Sequence, residues 1–403
     1  MRRLGRRAPR ALISGAGIAG PAVAYWLRLG GWRVTLVEAS PAPRMGGYMI
    51  DFWGAGFEVA ERMGLGYELR DKGYRFGEIR LVDSAGASRA RLRVDHLTRK
   101  LRDRYVSILR ADLSTMLLDL VRDHVELRFG DELTAVQPID GQVAASFRHA
   151  DRERFDLVIG ADGLHSNVRR LAFPGSEDWV RPLGYHVAAL LASGYSEGED
   201  LVYVSRTVPG RQVARYHLRD GRTALFFIFV DELARGARIG AHSDQKALLA
   251  ALFGGVGWEA DDILKAVAKA DEIYFDTASQ VWAPTWANGR CVILGDAAYC
   301  PSLLAGEGAS FAIAGAYVLA GELARSGSDV AQGLAAYEAR LRPFIERKQR
   351  AAGSMGAWFA PRTAPGVFLR DQLTRLAGLP GLSDWVVGRM FEDHLDLPAY
   401  VFQ

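Results

Sequence analysis

Apolar positions along the chain follow two different periods, and the switches between them outline its elements. Residues 11–14 form a short apolar run that opens into Gly15-Ala16-Gly17. Apolar residues then recur at Ile18, Ala22, Tyr25, Trp26 and Leu29, the spacing of one helix face. Pro21 lies near the predicted helix start, where a missing N–H costs little, and Gly30-Gly31 marks its end. Residues 33–38 read as a second strand. The first forty residues therefore predict strand, glycine turn, helix and strand, a βαβ unit.

Further along, a helix is predicted over 56–63, stopped by Gly64, and alternating residues between 77 and 94 predict hairpin strands. An amphipathic helix opens at Arg110 and runs to 121. Residues 155–160 read as a buried strand that ends in Ala161-Asp162-Gly163. From 175 to 272 strand patterns dominate (185–191, 201–205, 212–218 and 223–230), with one helical stretch near 245–253. Residues 290–295 return to a buried strand, and 308–325 predict a helix rich in small residues. The tail from Leu334 is mainly helical, with breaks expected at Pro361, Pro365 and Pro380.

The predicted class is α/β. A nucleotide-binding domain is expected from 11–75, 100–174 and 273–345, and a sheet-rich substrate domain from 76–99 and 175–272. A helical C-terminal segment should cover 346–403. Within Phe226-Phe227-Ile228-Phe229, alternate residues should be sheet core.

Composition narrows the function classes. The chain has 403 residues, 49% apolar and 24% charged, enough for two packed domains. A net charge of +3 argues against a polyanionic partner such as nucleic acid. No apolar run approaches the ~20 residues of a membrane helix. The arginines of MRRLGRRAPR read as a solvated tail, because no apolar signal-peptide core follows them. Two cysteines, Cys291 and Cys300, and eight scattered histidines predict neither a disulfide framework nor a metal site. A reducing, cytoplasmic setting and a monomer or weak homo-oligomer are expected.

Three motifs carry chemistry. In Gly15-x-Gly17-x-x-Gly20, the first glycine permits a tight turn, the second admits a pyrophosphate and the third lets helix and strand approach. Ile18 and Ala19 belong to the same helix start, whose free N–H groups attract phosphate. Glu38 ends the second strand and can accept hydrogen bonds from both ribose hydroxyls of an adenosine. This unit predicts a dinucleotide without separating NAD from FAD. The second motif is Gly160-Ala-Asp162-Gly163, running on to Arg169. The third is Gly295-Asp296-Ala-Ala-Tyr299-Cys300-Pro301, running on to Gly306-Glu307-Gly308 and Ala309. There Asp296 can accept from a sugar-like hydroxyl, and the glycines can present backbone N–H groups to a carbonyl-rich ring.

These motifs, with Ser107-Ile-Leu-Arg110-Ala-Asp-Leu113, resemble the class A flavoprotein monooxygenases, the p-hydroxybenzoate hydroxylase-like family, over roughly residues 11–345. The resemblance implies a Rossmann-like domain holding FAD tightly. By position, Glu38 would bind the adenosine ribose, Arg110 the phosphate–ribityl region and Asp296 the ribityl chain. Pro301, Gly306, Gly308 and Ala309 would lie toward the isoalloxazine ring. Asp162 and Gly163 would serve a motif linked to both FAD and NAD(P)H, and Arg44 with Gly47 would approach the cofactor again. Tyr299 stands where histidine is common, Glu307 where glutamine is common, and Ala39 where an arginine often follows the ribose-binding acid. The tryptophan-rich signature of flavin halogenases is absent.

The activity so implied is an NAD(P)H-consuming hydroxylation. NADPH is the expected donor, bound transiently, since no second glycine fingerprint is present. One oxygen atom from O2 would pass through a C4a-hydroperoxyflavin to a large apolar or aromatic small molecule. Polyketides of the kind met in antibiotic biosynthesis are included. The flavin carries the chemistry, so no catalytic residue is assigned. Tyr185, His186, Tyr203, Tyr216 and His217 are candidates for a base by chemistry and region alone, with packing the expected role of each. Two other readings stay open: a non-redox cyclase on the same FAD scaffold, and a flavin-bound interaction protein without turnover.

Overall fold

A computed structural model describes residues 7–43, 48–94, 101, 104–195, 199–236, 242–379 and 395–402. In chain order it begins with β1 (Arg10–Ser14), α1 (Ala19–Leu29), β2 (Arg33–Glu38), β3 (Met49–Trp53), α2 (Gly54–Arg62) and α3 (Gly66–Lys72). The hairpin β4 (Glu78–Val82) and β5 (Ser88–Arg93) follows, then β6 (Tyr105–Leu109), α4 (Arg110–Asp119) and β7 (Glu126–Phe129). Next come β8 (Leu133–Ile139), β9 (Gln142–Phe147), β10 (Glu153–Phe155), β11 (Leu157–Gly160) and α5 (Asn167–Ala172). The second domain contributes β12 (Val180–Ser193), β13 (Val202–Val208), β14 (Arg211–His217), β15 (Arg222–Val230), α6 (His242–Phe253), α7 (Ala260–Lys269) and β16 (Tyr274–Val281). The chain closes with β17 (Ala287–Asn288), β18 (Cys291–Ile293), α8 (Asp296–Tyr299), α9 (Gly308–Ser326), α10 (Val330–Ala352), α11 (Met355–Phe359) and α12 (Ala364–Ala377).

The nucleotide domain is a six-stranded sheet in the order β17-β18-β11-β1-β2-β7, parallel except for β17. This is the Rossmann-like architecture expected from the glycine motif. β1 and β11 are buried on both faces, as central parallel strands are, and so read as unbroken apolar runs. α9 packs on α1, α2 and α10. Its small residues allow that: a Cβ on Gly56 of α2 would lie 2.3 Å from the Ser310 Cα, so the two backbones touch.

A seven-stranded sheet, β16-β12-β15-β14-β13-β4-β5, forms the second domain. Its strands come from 78–93, 180–230 and 274–281, so one edge strand lies beyond the domain limit expected at 272. One face is sealed by α6 and α7, where Leu225, Phe227 and Phe229 meet Leu249, Phe253 and Ile263 in a buried cluster. Tyr203, Tyr216, Phe226 and Ile228 lie on the opposite face, toward the nucleotide domain. The alternation expected within 226–229 is thus observed.

Several features depart from the sequence reading. The antiparallel sheet β10-β9-β8, the strands β3, β6 and β7 and the helices α3, α5 and α7 were not anticipated. α7 is short, but Ala260, Ile263 and Val267 do mark one buried face. Pro365 opens α12 instead of breaking a helix. Pro380 lies outside the described residues.

Candidate functional site

The carboxyl ends of β1, β2, β11 and β18 converge on one cleft. Gly15 turns the chain out of β1 at φ +105, and a Cβ there would lie 2.5 Å from the Ala161 carbonyl oxygen. The first glycine turn therefore rests directly on the turn after β11. At Gly20 a Cβ would fall 1.8 Å from the Gly15 oxygen, so only glycine lets α1 start this close. Ile18 and Ala19 are buried at that start. α1 has no side-chain cap and no acid in its first turn, which leaves its positive end open to an anion.

The bare face of Gly17 looks toward α4: a Cβ there would be 3.4 Å from Arg110 Nη2. An anion above α1 would thus meet both the helix end and a guanidinium. At the tip of β2, Glu38 Oε2 accepts from the Ala16 N–H at 2.9 Å and Oε1 from the Ser40 N–H at 3.0 Å. Each oxygen keeps a further lone pair for a sugar hydroxyl.

The third motif closes the cleft. Gly295 takes φ +64, and Asp296 follows at the start of α8. The half-buried Asp296 carboxylate leaves just enough room for Gly308, whose Cβ would be 3.2 Å from Oδ1. Burial pushes the Asp296 carboxyl above the usual range, while Arg110 and the Cys300 thiol pull it back. Arg110 therefore serves the first and third motifs at once. Gly306 ends a short turn at φ +69, and α9 then starts at Gly308 with no side-chain cap bond and no acid within its first turn. Ala309 is in the same first turn, and the buried Pro301 carbonyl accepts from Gln280 Nε2 at 2.9 Å.

Asp162 is placed differently. Its Oδ2 accepts from the N–H groups of Asn167 at 2.9 Å and Val168 at 3.0 Å, and from Ser14 Oγ at 3.4 Å; its Oδ1 accepts from Ser166 Oγ. The carboxylate thus binds the end of β1 to the start of α5 and holds the turn on which Gly15 rests. Gly163, at φ +80, completes that turn. Arg44 and Gly47 lie outside the described residues.

Two of the three departures from the family pattern are held by packing and by an ion pair. Tyr299 is buried, with its ring 4.6 Å from that of Trp286 and its hydroxyl 3.3 Å from the Tyr337 hydroxyl. Glu307 accepts a charge-assisted bond from Lys348 Nζ at 2.6 Å. Of the candidate bases, His186 packs between Phe229 and Phe275, and His217 bonds Thr223 on the face sealed by α6 and α7. Tyr185 packs on Gly356. Tyr203 and Tyr216 face the nucleotide domain; the Tyr203 hydroxyl donates to Gln212 at 3.1 Å.

The sequence reading missed Tyr48 and Tyr274, whose rings lie 4.4 Å apart beside Asp296. Burial pushes Tyr48 up to about 12, although Arg110 opposes it. Tyr48 directly follows the Gly46-Gly47 pair and could have been flagged from that position. Nothing in the local sequence marks Tyr274. Among the described residues no His, Cys, Asp and Glu group could hold a metal ion, and no helix is long and apolar enough to cross a membrane.

The donor set fits FAD. Two uncapped helix starts and Arg110 suit a pyrophosphate, Glu38 and Asp296 suit sugar hydroxyls, and the glycines leave space that a Cβ would fill. Comparison with known proteins agrees. Residues 9–352 match the family described as FAD binding domain. An uncharacterized protein of Mycobacterium tuberculosis, Rv1260, is 36% identical over 88% of this chain and 93% of its own length. A flavin-dependent monooxygenase of Legionella longbeachae is 31% identical over 86% of this chain and 87% of its own length. The crystal structure of the tetracycline destructase Tet(55) superposes with a TM-score of 0.80 at 30% identity, covering 98% of this chain and 99% of that one. A match over most of the chain, carried by the cleft just described, makes this protein a member of the class A flavoprotein monooxygenases and an FAD-dependent monooxygenase.

Proposed function

We propose that the chain hydroxylates a large aromatic small molecule with O2, at the expense of NADPH that binds transiently. The observation that carries this reading is the meeting of Arg110, Gly17, Asp296 and Gly308 in one cleft, beside a sheet face bearing Tyr203, Tyr216 and Phe226. Bound FAD supplies hydride uptake from the nicotinamide and activation of oxygen. The chain's residues hold and orient. The α1 start and Arg110 would neutralise the pyrophosphate, while Glu38 and Asp296 accept from ribose and ribityl hydroxyls. Gly306, Gly308, Ala309 and Pro301 would border the ring, and Asp162 with Gly163 fixes the turn on which Gly15 rests. The neighbouring aromatic face would take an apolar ring system and exclude water from it.

Polycyclic, polyketide-like substrates suit this face, and tetracycline is a first probe because a structural relative is a tetracycline destructase. The test is oxygen uptake by the purified flavoprotein with NADPH or NADH and a panel of polycyclic phenols. Uptake should rise with substrate, be faster with NADPH, and give a product heavier by one oxygen atom. Turnover to an isomer without oxygen or reductant would replace this reading with a cyclase.

A further inference from the structure

Beside the flavin cleft lies a second polar group, built from β3, β6 and the sheet of the second domain. Asp51 of β3 stands opposite Ser107 of β6. The Tyr105 hydroxyl donates to its Oδ1 at 2.8 Å, and Ser107 also bonds the carboxylate. The other oxygen, Oδ2, is turned toward Gly306, 3.9 Å from the point where a Cβ would be. Asp51 sits among buried Phe52, Tyr105 and Val106, yet it keeps accessible surface, as do Phe76, Tyr203 and Phe226 across from it. Surface retained that deep means that these groups border a cavity.

Across that cavity the Tyr216 ring is fully buried, 4.2 Å from the ring of Phe76. Its hydroxyl has no hydrogen-bond partner among the described residues, and the same holds for the buried Ser205 Oγ on the adjacent strand. Tyr216 and Tyr203 both feel the charge of Asp51. Leaving a buried hydroxyl without a partner is unfavourable, and a bound polar ligand can recover that loss. The wall therefore offers a carboxylate acceptor on one side and an unused tyrosine donor on the other. It lies next to Gly306, where the flavin ring is expected.

We propose that Asp51 is the residue that sets substrate specificity, accepting a hydrogen bond from a hydroxyl or amino group on the substrate's aromatic system, with Tyr216 donating to an oxygen of the same molecule. This rests on the monooxygenase reading above and adds the polarity of the substrate to it. The pocket selects phenols, enols and amines at this point. It rejects rings that carry a carboxylate there, because two carboxylates would share a site of low dielectric.

The test uses the holoenzyme and three matched probes: 2-naphthol, 2-methoxynaphthalene and 2-naphthoic acid. Binding is read from the change in the visible spectrum of the bound FAD, without turnover. The wild type should bind 2-naphthol about 10-fold or more tighter than its methyl ether, as loss of a hydrogen bond to a charged group implies, and should bind the acid weakest. Asp51→Asn should keep its FAD, lose most of the preference for the naphthol over the ether, and bind the acid better than the wild type does. Tyr216→Phe should weaken 2-naphthol and 2-methoxynaphthalene alike, since both carry the acceptor oxygen. Equal affinity for all three probes in the wild type, including equally weak affinity, overturns the proposal. So does an unchanged preference in Asp51→Asn. Loss of FAD from Asp51→Asn would place the residue in the flavin cradle and also overturn it. A wild type that holds no FAD fails the monooxygenase reading itself, a result distinguishable from all of these.

Discussion

Asp296→Ala separates cofactor binding from folding. The carboxylate lies over Gly308 with Arg110 close by, in reach of whatever the cleft holds. A hydrogen bond to a charged acceptor contributes about 1.5–3 kcal/mol, so its loss should weaken FAD binding about 10- to 100-fold. The protein itself should not suffer. Burial, the largest influence on Asp296, raises its carboxyl above the ordinary value of 3.8, so the folded state binds its proton more tightly than the unfolded state does. Such a group opposes folding once it is ionised at neutral pH. Removing it should leave the apoprotein's Tm at pH 7 unchanged or slightly higher. The assay is titration of apoprotein with FAD by flavin fluorescence, alongside thermal unfolding by circular dichroism. An unchanged FAD Kd would refute the placement of the ribityl site. Weaker binding accompanied by a large fall in Tm would show that Asp296 acts through the fold instead.

Gly20→Ala should abolish FAD retention and lower Tm, because its Cβ would lie 1.8 Å from the Gly15 oxygen; retention of FAD measured by gel filtration would contradict the packing of α1 on its turn. Tyr299→His, which restores the residue common in the family, should leave FAD affinity unchanged. It should destabilise the fold by about 1–3 kcal/mol, since the ring is packed between Trp286 and Gly315 and a polar imidazole would replace it. Urea unfolding and FAD titration check both halves. Glu259→Gln should cost about 2–4 kcal/mol at pH 7, because Arg215 would be left buried without its ion-pair partner. Burial raises the Glu259 carboxyl, but the hydrogen bonds from Arg215 and Tyr195 outweigh it and leave it below the ordinary 4.5. Its stabilisation is therefore present above pH 4.5 and fades as pH falls through the lowered value, so the difference in urea midpoint should shrink in acid.

The glycine turns that line the cleft were legible in the sequence because backbone contact leaves a mark that side-chain contact does not. Gly15 and Gly20 stand where a Cβ would run into backbone, and such places demand glycine at fixed spacing, whereas at Gly17 and Gly308 a Cβ would only approach Arg110 and Asp296. Asp162 was legible as a site residue, but its bonds are to Ser14, Ser166 and the start of α5, a role that depends on contacts across the fold. Asp51 left no mark. Its neighbours Tyr105 and Ser107 on one strand and Tyr216 on another come from two other stretches of chain, and only the pairing of β3 with β6 and the closeness of the second sheet assemble them. The sheet-rich domain was visible from its alternating patterns. The β8–β10 sheet was missed because β8 is mostly exposed or half-exposed and β10 has only three residues, which blurs the alternation.

The central claim is that residues 15–20, 38, 110, 296 and 306–308 together hold FAD. Its most direct test is the flavin released by heating the purified protein, identified by chromatography and counted against protein concentration. Stoichiometric FAD is expected, with neither FMN nor nicotinamide in its place. A colourless protein that takes up no FAD on titration would contradict it.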